Sequence, residues 1–209
     1  MPVIDVNDLS QRDASHLLNG VVLPRPIAWV STVSPEGVRN LAPHSYFNVM
    51  SVKPPIVHFT STGVKDTLRN VRATNEFVVN VVSADLAEPM NLTSADFPPG
   101  EDEFTWAGLE AVPSTAVTPP RVARARAALE CRLRAVVSMG NGNMVFGDVV
   151  LVHVDDGVWR DGRVDPTLLE PLGRLAGSGY TTVVGDTITK LPRPTWEQLR
   201  EGSGTAREA

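Results

Sequence analysis

The chain has 209 residues, enough for one well-cored domain, and its 17 prolines and 16 glycines are spread along it, which indicates many turns. Its net charge of −5 and the absence of a basic run argue against nucleic acid as a partner, because phosphate backbones are bound by clustered Lys and Arg. No segment reaches the roughly 18 apolar residues of a spanning helix, and the N-terminus lacks the features of a signal peptide. We therefore expect a cytoplasmic protein that does not bind membranes.

The first predicted elements are three closely spaced strands. Residues 27–33 are apolar and β-branched, and Ser34-Pro35-Glu36-Gly37 matches a type I turn, so residues 38–42 should return as the second strand of a hairpin. Pro54-Pro55 precedes a third strand at 56–60. Three strands within about 35 residues are typical of a barrel rather than of a doubly wound sheet.

The middle of the chain predicts a helix between strands. Val64, Leu68 and Val71 share one face at helical spacing, which predicts a helix over 65–73 that ends near Asn75. The next segments are a strand at 77–82, a short amphipathic segment at 84–94 and an irregular stretch at 97–104. We interpret the irregular stretch as either a covering loop or a mobile one.

The second half of the chain predicts a long hairpin. Residues 129–137 and 144–154 alternate in polarity and are joined by Gly140-Asn141-Gly142-Asn143, whose residues tolerate positive φ. The elements expected after it are a short one at 159–164 and a helical turn at 165–170. We treat residues 1–190 as one domain and residues 191–209 as a C-terminal extension, partly disordered because it has little to bury.

Several kinds of active site lack their usual residues. The four histidines, His16, His44, His58 and His153, have no metal-binding spacing, so we predict no metal site. The nucleophile elbow, the Walker loop and the Rossmann glycine pattern do not occur. The acidic triplet Glu101-Asp102-Glu103 either coordinates a cation or forms a solvated loop, and we favour the loop; the single Cys131 is interpreted as a buried structural thiol rather than a nucleophile.

Residues 60–67, Thr60-Ser61-Thr62-Gly63-Val64-Lys65-Asp66-Thr67, run from the end of a predicted strand into a predicted helix. Free N–H groups at a helix start attract an anion, Gly63 allows close approach of the backbone, and Lys65 adds a positive charge, so this segment can bind a phosphate group. Ordinary helix capping with a solvated lysine explains the same residues.

A second polar cluster follows the second predicted strand. Asn40, His44, Ser45 and Asn48 flank Tyr46-Phe47, and such a set can hold a flat heterocycle such as an isoalloxazine, which needs an apolar shelf and polar groups at its pyrimidine edge. A turn rich in Asn and Ser, with its aromatic residues in the core, explains it equally.

Ten motifs occur in a fixed order. The first five are Arg25-Pro26-Ile27-Ala28-Trp29-Val30-Ser31-Thr32, Asn40-Leu41-Ala42-Pro43-His44-Ser45-Tyr46-Phe47-Asn48, Pro54-Pro55, Lys65-Asp66-Thr67-Leu68-Arg69-Asn70 and Glu76-Phe77-Val78-Val79-Asn80. The others are Met90-Asn91, Phe97-Pro98-Pro99-Gly100, Ala128-Leu129-Glu130-Cys131, Gly147-Asp148-Val149 and Pro171-Leu172-Gly173-Arg174-Leu175. This order resembles that of the flavin reductase-like, FMN-binding split-barrel family, which includes flavoredoxins.

The resemblance implies a mainly β protein with flanking helices, built as a six-stranded antiparallel split barrel of Greek-key type. It implies a homodimer with one FMN per subunit in a groove near the interface. The residues implied at the isoalloxazine and ribityl are Asn40, Pro43, His44, Ser45, Tyr46, Phe47 and Asn48. Those implied at the phosphate are Thr60, Ser61, Lys65 and Thr67, with Ser31 and Thr32 near the ribityl or phosphate.

Three further residues are implied near the cofactor. Trp29 is a candidate to cover the ring, and Arg174 and Tyr180 are placed nearby, from either the same or the partner subunit, with closure of the dimer interface as their alternative role. His44 stands where the family often has an aromatic residue, so it either contacts the flavin edge or fills the space.

The implied activity is that of an NAD(P)H-dependent flavin reductase, which passes electrons from NADH or NADPH through FMN to an acceptor such as a partner monooxygenase or redox protein. The flavin carries this chemistry, so no catalytic side chain is required. Two alternatives stay open: a flavoredoxin-like FMN electron carrier without its own nicotinamide turnover, and a cofactor-free dimerisation module.

Overall fold

The computed structural model describes the backbone of residues 1–202 and the side chains of residues 1–200. Seven strands form its main sheet, and every neighbouring pair is antiparallel. In chain order they are β1 Ala28–Val33, β2 Arg39–His44, β3 Phe47–Val52, β4 Pro55–Thr62, β5 Glu76–Val81, β6 Ala127–Met139 and β7 Gly142–Val154. Their order across the sheet is β2-β1-β5-β6-β7-β4-β3.

The sheet is curled because its two edge strands, β2 and β3, follow one another in the chain. Only Ser45 and Tyr46 separate them, so the two edges are drawn together at this turn. The closure is marked by a hydrogen bond from the Thr60 backbone N–H to the Tyr46 carbonyl (2.8 Å) and by the His44 ring, whose centroid lies 4.7 Å from that of Phe59. The edges do not pair within the described residues, which leaves the barrel split beside this turn.

The mainly β split barrel is confirmed, but its main sheet has seven strands rather than six. The missed strand is β3, which the sequence analysis treated as part of a polar turn. Phe47 and Ser51 are half-buried and the other four residues of β3 are exposed. The strand therefore lacks the alternation that reveals a half-buried strand.

Six helices flank the sheet within the described residues. They are α1 Gln11–Val21, α2 Asp66–Thr74, α3 Ala87–Leu92, α4 Glu103–Trp106, α5 Pro166–Leu169 and α6 Trp196–Gly202. Single 3-10 turns occur at Val6–Asp8, Ala84–Leu86, Asp156–Val158 and Gly185–Thr187. No helix among residues 1–202 combines the length and apolar character needed to cross a bilayer.

Short strands form three small sheets. Arg25–Pro26, Leu172–Arg174 and Tyr180–Thr182 build a three-stranded sheet, with Leu172–Arg174 in its centre. The two-stranded sheets pair Ala111–Val112 with Arg121–Val122 and Trp159–Arg160 with Arg163–Val164. The three-stranded sheet brings residues 172–182 beside the segment that precedes β1.

Helix α2 and helix α1 differ in how well the sequence predicts them. The predicted helix over 65–73 is confirmed as α2, and Asn75 ends it in a left-handed conformation (φ 61°). Helix α1 was missed, although Ser10 caps it by accepting a hydrogen bond from the Asp13 N–H (3.1 Å). No residue of α1 is buried, although Ala14, Leu17, Leu18 and Val21 share one face at the spacing of an amphipathic helix, so its sequence does carry a helix signal.

Two large apolar clusters form most of the core, and a third, small one consists of Val78, Val117 and Ala128. One fills the barrel and includes Phe59 and Phe77, whose rings meet edge to face at 5.3 Å. Cys131 is fully buried in it, which confirms the structural thiol, and burial raises its pKa. The other cluster lies between strands β1 and β2 on one side and helices α3 and α4 on the other, and it contains Trp29 and Phe104.

Gly147 shows how tightly the barrel interior is packed. A Cβ atom at this position would lie 2.3 Å from Cζ of Phe77, which is fully buried. The β6–β7 pairing shifts register between Phe146 and Gly147. The glycine therefore allows β7 to pass over the Phe77 ring.

The C-terminal extension was expected to be partly disordered. Within it, residues 196–202 form helix α6, and the expected partial disorder stays a prediction. The rest of the extension, residues 203–209, lies outside the described residues, and the domain boundary near 190 stays a prediction.

Candidate functional site

A continuous groove lies beside the split in the barrel, and we call it the split groove. It consists of three adjoining cavities of about 320, 270 and 200 Å³, and Pro43 lines all three. Taken together, they lie within the range of about 300–1,000 Å³ that small-molecule sites occupy. We call them the central cavity, the α2 cavity and the α3 cavity, in that order.

Each cavity is lined by a different part of the chain. The central cavity has Asn19, Arg25, His44, Ser45, Tyr46, Thr60, Thr62, Lys65, Arg174, Leu175 and Gly177. The α2 cavity has Asn40, Lys65, Thr67, Thr93, Ser94, Asp96 and Glu103 among its walls. The α3 cavity has Ile27, Ser45, Met90, Asn91, Ser94, Arg174 and Tyr180.

The split groove has a positive charge where β4 passes into α2. Gly63, with a φ of 74°, turns the chain after β4, and Lys65 stands at the start of α2 without a side-chain cap bond. The first N–H groups of α2 therefore have no side-chain acceptor from this position. Lys65 Nζ instead lies 2.7 Å from Asp96 Oδ1, and this contact holds the pKa of Asp96 below its usual range.

Arg25 ties together the segments around the central cavity. Its buried guanidinium donates to the carbonyls of Asn19 (3.0 Å), Val22 (2.7 Å) and Leu175 (3.1 Å). These bonds link the end of α1 to the loop after Leu172–Arg174. The positively charged Arg25 side chain therefore mainly stabilises the wall of the central cavity.

Arg174 and Tyr180 both line the split groove of their own chain. The guanidinium carbon of Arg174 lies 4.5 Å from the centroid of the Tyr180 ring. The Tyr180 hydroxyl donates to Asn91 Oδ1 at 3.2 Å, which connects the three-stranded sheet to α3. Their contact with a cofactor stays a prediction.

His44 lines the central cavity with an uncharged imidazole ring. Burial lowers its pKa to about 4, and the charge of Lys65 acts in the same direction. Its Nε2 atom is buried and has no partner within hydrogen-bonding geometry among the described residues. Buried polar atoms normally have a hydrogen-bond partner. A small movement of the His44 ring would expose this atom to a ligand in the groove.

A hydrogen-bonded chain crosses the wall of the α2 cavity. Glu103 Oε2 accepts from the Leu41 backbone N–H at 3.0 Å, and its Oε1 lies 3.3 Å from the Asn40 amide. The other end of this amide lies 3.1 Å from Oγ1 of Thr67. All three side chains are at least nine-tenths buried.

The solvated-loop interpretation of the acidic triplet is therefore wrong for Glu103. Asp102, its neighbour, pairs with Arg39 and caps α4 through the Phe104 N–H. The triplet anchors α4 against β2. Among residues with described side chains, no group of three or more His, Cys, Asp or Glu is arranged to hold a metal ion.

Three predicted residues of β1, Trp29, Ser31 and Thr32, do not line the split groove, and their contact with a cofactor stays a prediction. Trp29 is fully buried in the second core cluster, where its indole N–H donates to Thr93 Oγ1 at 2.9 Å. The Ser31 hydroxyl donates to the Pro120 carbonyl, and Thr32 Oγ1 accepts from Asn70 Nδ2 at 3.1 Å. Both faces of β1 are covered, so neither reaches the groove.

Phe47, Asn48 and Ser61 also do not line the split groove, and their contact with a cofactor stays a prediction. Phe47 packs against the barrel core, and Ser61 is fully buried with its hydroxyl on the Gly63 carbonyl (3.2 Å). Asn48 is exposed outside the split groove, and its Oδ1 accepts from the Val49 N–H. The predicted residues that do line the groove are Asn40, Pro43, His44, Ser45, Tyr46, Thr60, Lys65, Thr67, Arg174 and Tyr180.

Several other residues that line the groove were not predicted from the sequence. Asn19 comes from α1, which the Ser10-x-x-Asp13 capping pattern could have revealed. Thr62 lies within the predicted phosphate segment but was not chosen. Asp96 and Ser94 come from the loop after α3, and only the fold brings them beside Lys65.

Comparison with known proteins gives consistent relatives. An uncharacterized protein of Halalkalibacterium halodurans is 40% identical over 210 residues, which cover 95% of this chain and 99% of the relative. The crystal structure of nitrilotriacetate monooxygenase component B from Bacillus cereus matches with a TM-score of 0.87 and 33% identity, covering 91% of this chain and 98% of that one. The structure of the 2-nitrobenzoate 2-nitroreductase NbaA from Pseudomonas fluorescens matches with a TM-score of 0.87 and 34% identity over 93% and 98% of the two chains.

The family is shown by a direct match as well as by these neighbours. The model of the flavin reductase like domain matches residues 20–168, which include β1 to β7 and the split groove except for Asn19 and its C-terminal wall. The chain therefore belongs to the flavin reductase-like family of split-barrel proteins, whose members among its structural neighbours are flavin-related oxidoreductases.

Proposed function

We propose that this protein is an FMN-binding oxidoreductase, an NAD(P)H-dependent flavin reductase that passes electrons from a nicotinamide through FMN to an acceptor. The observation that carries the proposal is the split groove, which combines a neutral polar wall at His44 with a positive charge at the start of α2. A flavin mononucleotide has the matching parts, a flat polar-edged ring and a phosphate dianion. Membership of the family supports the same cofactor.

The residues of the groove fit this cofactor. Pro43, His44 and Ser45 would hold the ring, because they supply an apolar surface and polar atoms at the same turn. Lys65 and the first N–H groups of α2 would hold the phosphate. Bound FMN would supply the redox chemistry, which side chains cannot perform.

The chain's own contribution is orientation and electrostatics. Hydride transfer depends on holding two rings parallel and close, so a rigid groove replaces a catalytic acid. The bonds of Arg25 to three carbonyls make the central cavity rigid. Positive charge at Lys65 and Arg174 favours a cofactor that becomes more negative on reduction.

A homodimer belongs to the proposal. Several apolar residues of the outer sheet surface are exposed, which is typical of a surface that another protein covers: Val49, Met50, Val52, Val150 and Val152. Helix α1, without a single buried residue, is also available for such a contact. Light scattering during size-exclusion chromatography tests this, and a mass of one chain would contradict it.

The neighbours favour two kinds of acceptor. The Bacillus cereus protein is named as a monooxygenase component, which favours delivery of electrons to a partner monooxygenase. The Pseudomonas fluorescens protein is named as a nitroreductase, which favours a second candidate, direct reduction of an organic acceptor in the groove. Assays with oxygen, a nitroaromatic compound and free FMN as acceptors separate the two.

The main experiment measures FMN binding and nicotinamide oxidation. The absorbance spectrum of the purified protein and a fluorescence titration with FMN report binding, and loss of absorbance at the nicotinamide band reports turnover with NADH or NADPH. A yellow protein without turnover would support the electron carrier instead. A protein that neither binds FMN nor gains the stability expected from binding, about 2.7 kcal/mol at a hundredfold excess over Kd, would overturn the proposal in favour of a cofactor-free module.

A further inference from the structure

Glu103 is a buried carboxylate without a cationic partner among the described side chains. The other acids near it are paired: Asp102 with Arg39, Asp66 with Arg69, and Asp96 with Lys65. Glu103 is 6% exposed and instead accepts hydrogen bonds from the Leu41 N–H and the Asn40 amide. Both bonds run from α4 to β2, so the carboxylate acts on β2 and on the α2 cavity.

The charge of Glu103 decides how the Asn40 amide is oriented. An ionised carboxylate only accepts hydrogen bonds, so the end of the amide that faces Oε1 has to be the nitrogen. The amide oxygen then faces Thr67 and accepts from its hydroxyl at 3.1 Å. The single hydroxyl proton of Thr67 is thereby used within the wall and is not available to a ligand.

We propose that Glu103 is a positioning residue that sets the polarity of the Thr67 hydroxyl through the amide of Asn40. With Glu103 ionised, Thr67 offers only lone pairs to the α2 cavity, which disfavours an anion there. With Glu103 uncharged, the carboxyl proton is donated to the Asn40 oxygen, the amide nitrogen donates to Thr67, and the hydroxyl is free to donate to an anion. The effect on FMN rests on the proposed function, which places the phosphate beside Lys65 and α2.

The surroundings of Glu103 favour its uncharged form more than water does. Burial raises its pKa, and the charges of Asp66 and Asp102 raise it further, while its own backbone N–H and the Leu41 N–H act in the opposite direction. The charged groups of the neighbouring elements are Arg39 on β2, Lys65 before α2, Asp66 and Arg69 on α2, and Asp96 and Asp102 in the loop before α4. Since the pKa of Asp96 is lowered and that of Glu103 is raised, the two acids titrate in different pH ranges.

The orientation of the amide is tested first, without any flavin. Nuclear Overhauser contacts of the Asn40 side-chain amide protons are measured in the wild type and in Glu103→Gln, whose own amide can donate to Asn40 and accept from Leu41. We expect contacts to Thr67 to appear in Glu103→Gln and in the wild type as the pH falls through the raised pKa of Glu103. An unchanged orientation in both would overturn the proposal, whatever the protein does with FMN.

The effect on anions is tested with sulfate, which stays doubly charged over this pH range, and with FMN against riboflavin, which lacks the phosphate. Glu103→Gln should bind sulfate and FMN about tenfold more tightly and riboflavin unchanged, the scale of one hydrogen bond to a charged group. Glu101→Gln removes the same charge from the neighbouring exposed acid and is the matched control. Equal tightening in both variants would overturn the proposal, because it would show a general charge effect.

A double-mutant cycle isolates the role of Thr67. In Thr67→Val the hydroxyl is absent, so Glu103→Gln should no longer tighten sulfate binding in this background. Full tightening without the hydroxyl would overturn the proposal. A wild type that binds sulfate but not FMN would contradict the proposed function and leave the relation between Glu103, Asn40 and Thr67 standing.

Discussion

Lys65 and Asp96 form an ion pair, Nζ to Oδ1 at 2.7 Å, at the mouth of the α2 cavity. Both side chains are exposed, so water and salt weaken the pair and an incoming phosphate can replace the carboxylate. Because Lys65 holds the pKa of Asp96 below its usual range, Asp96 stays charged at neutral pH. It therefore competes with an anionic ligand for Lys65.

Lys65→Ala should weaken FMN binding while the fold is kept. One hydrogen bond to a charged group is worth about 1.5–3 kcal/mol, so we expect FMN affinity to fall roughly 10- to 150-fold and riboflavin affinity to stay unchanged. Lys53→Ala is the matched control, since Lys53 is exposed in the turn between β3 and β4. Fluorescence titration measures both, and unchanged FMN affinity in Lys65→Ala contradicts the phosphate assignment.

Asp96→Asn should have the opposite effect. Removing the competing carboxylate frees Lys65, so FMN should bind roughly two- to fivefold more tightly at low salt, with a smaller gain at high salt. Titrations at two salt concentrations measure this. Weaker binding in Asp96→Asn would mean that Asp96 contacts the ligand favourably instead of competing with it.

Trp29→Phe should lower stability without changing flavin affinity. The substitution removes the hydrogen bond to Thr93 and part of a fully buried side chain, which together cost about 1–3 kcal/mol. Urea unfolding and an FMN titration on the same variant provide the two readouts. Lost FMN affinity with unchanged stability would restore Trp29 as a cover for the ring.

Gly147→Ala should destabilise the barrel. The added Cβ would lie 2.3 Å from Cζ of Phe77, and overpacking of this kind costs about 1–3 kcal/mol. Gly20→Ala is the control, because nothing lies within 4 Å of its Cβ position in α1. Thermal unfolding compares the two variants, and equal melting temperatures would show that Phe77 moves aside without cost.

His44 should make stability depend on pH below about 6.5. Its pKa is about 4 in the folded protein and 6.5 as a model value, so between these values the unfolded chain binds more protons and stability falls as the pH falls. His44→Phe should reduce this slope by up to about 1.4 kcal/mol per pH unit. Burial also lowers the pKa of His58, so His58 contributes part of the pH dependence of stability both in the wild type and in His44→Phe. Urea unfolding at several pH values measures it, and equal slopes would show that folding does not lower the pKa of His44.

The fold could be predicted where local patterns are strong. The β6–β7 hairpin follows from alternation around the Gly140 turn, and α2 follows from the spacing of Val64, Leu68 and Val71. Helix α1 could have been predicted in the same way, because Ala14, Leu17, Leu18 and Val21 follow helical spacing after the Ser10 cap. Strand β3 could not, because it has no fully buried residue and does not alternate in burial.

The candidate site could be predicted only in part, for a related reason. Lys65 and Thr67 stand at a helix start that local sequence reveals, and both line the groove. Trp29 lies on a strand whose faces are both covered, so alternation does not tell which face meets the groove and which meets the core. Glu103 looked like one acid of a solvated triplet, and only its packing against β2 distinguishes it.

By itself, the sequence determined the succession of strands, turns and α2, together with the order of motifs from Arg25 to Leu175 that identifies the family. These depend on interactions between residues close in the chain. The tertiary structure decided which side chains share the split groove, because the curled sheet brings β2, α2 and the Leu172–Arg174 strand together. The bond from Arg25 to the Leu175 carbonyl joins residues 150 positions apart, and no local pattern predicts such a contact.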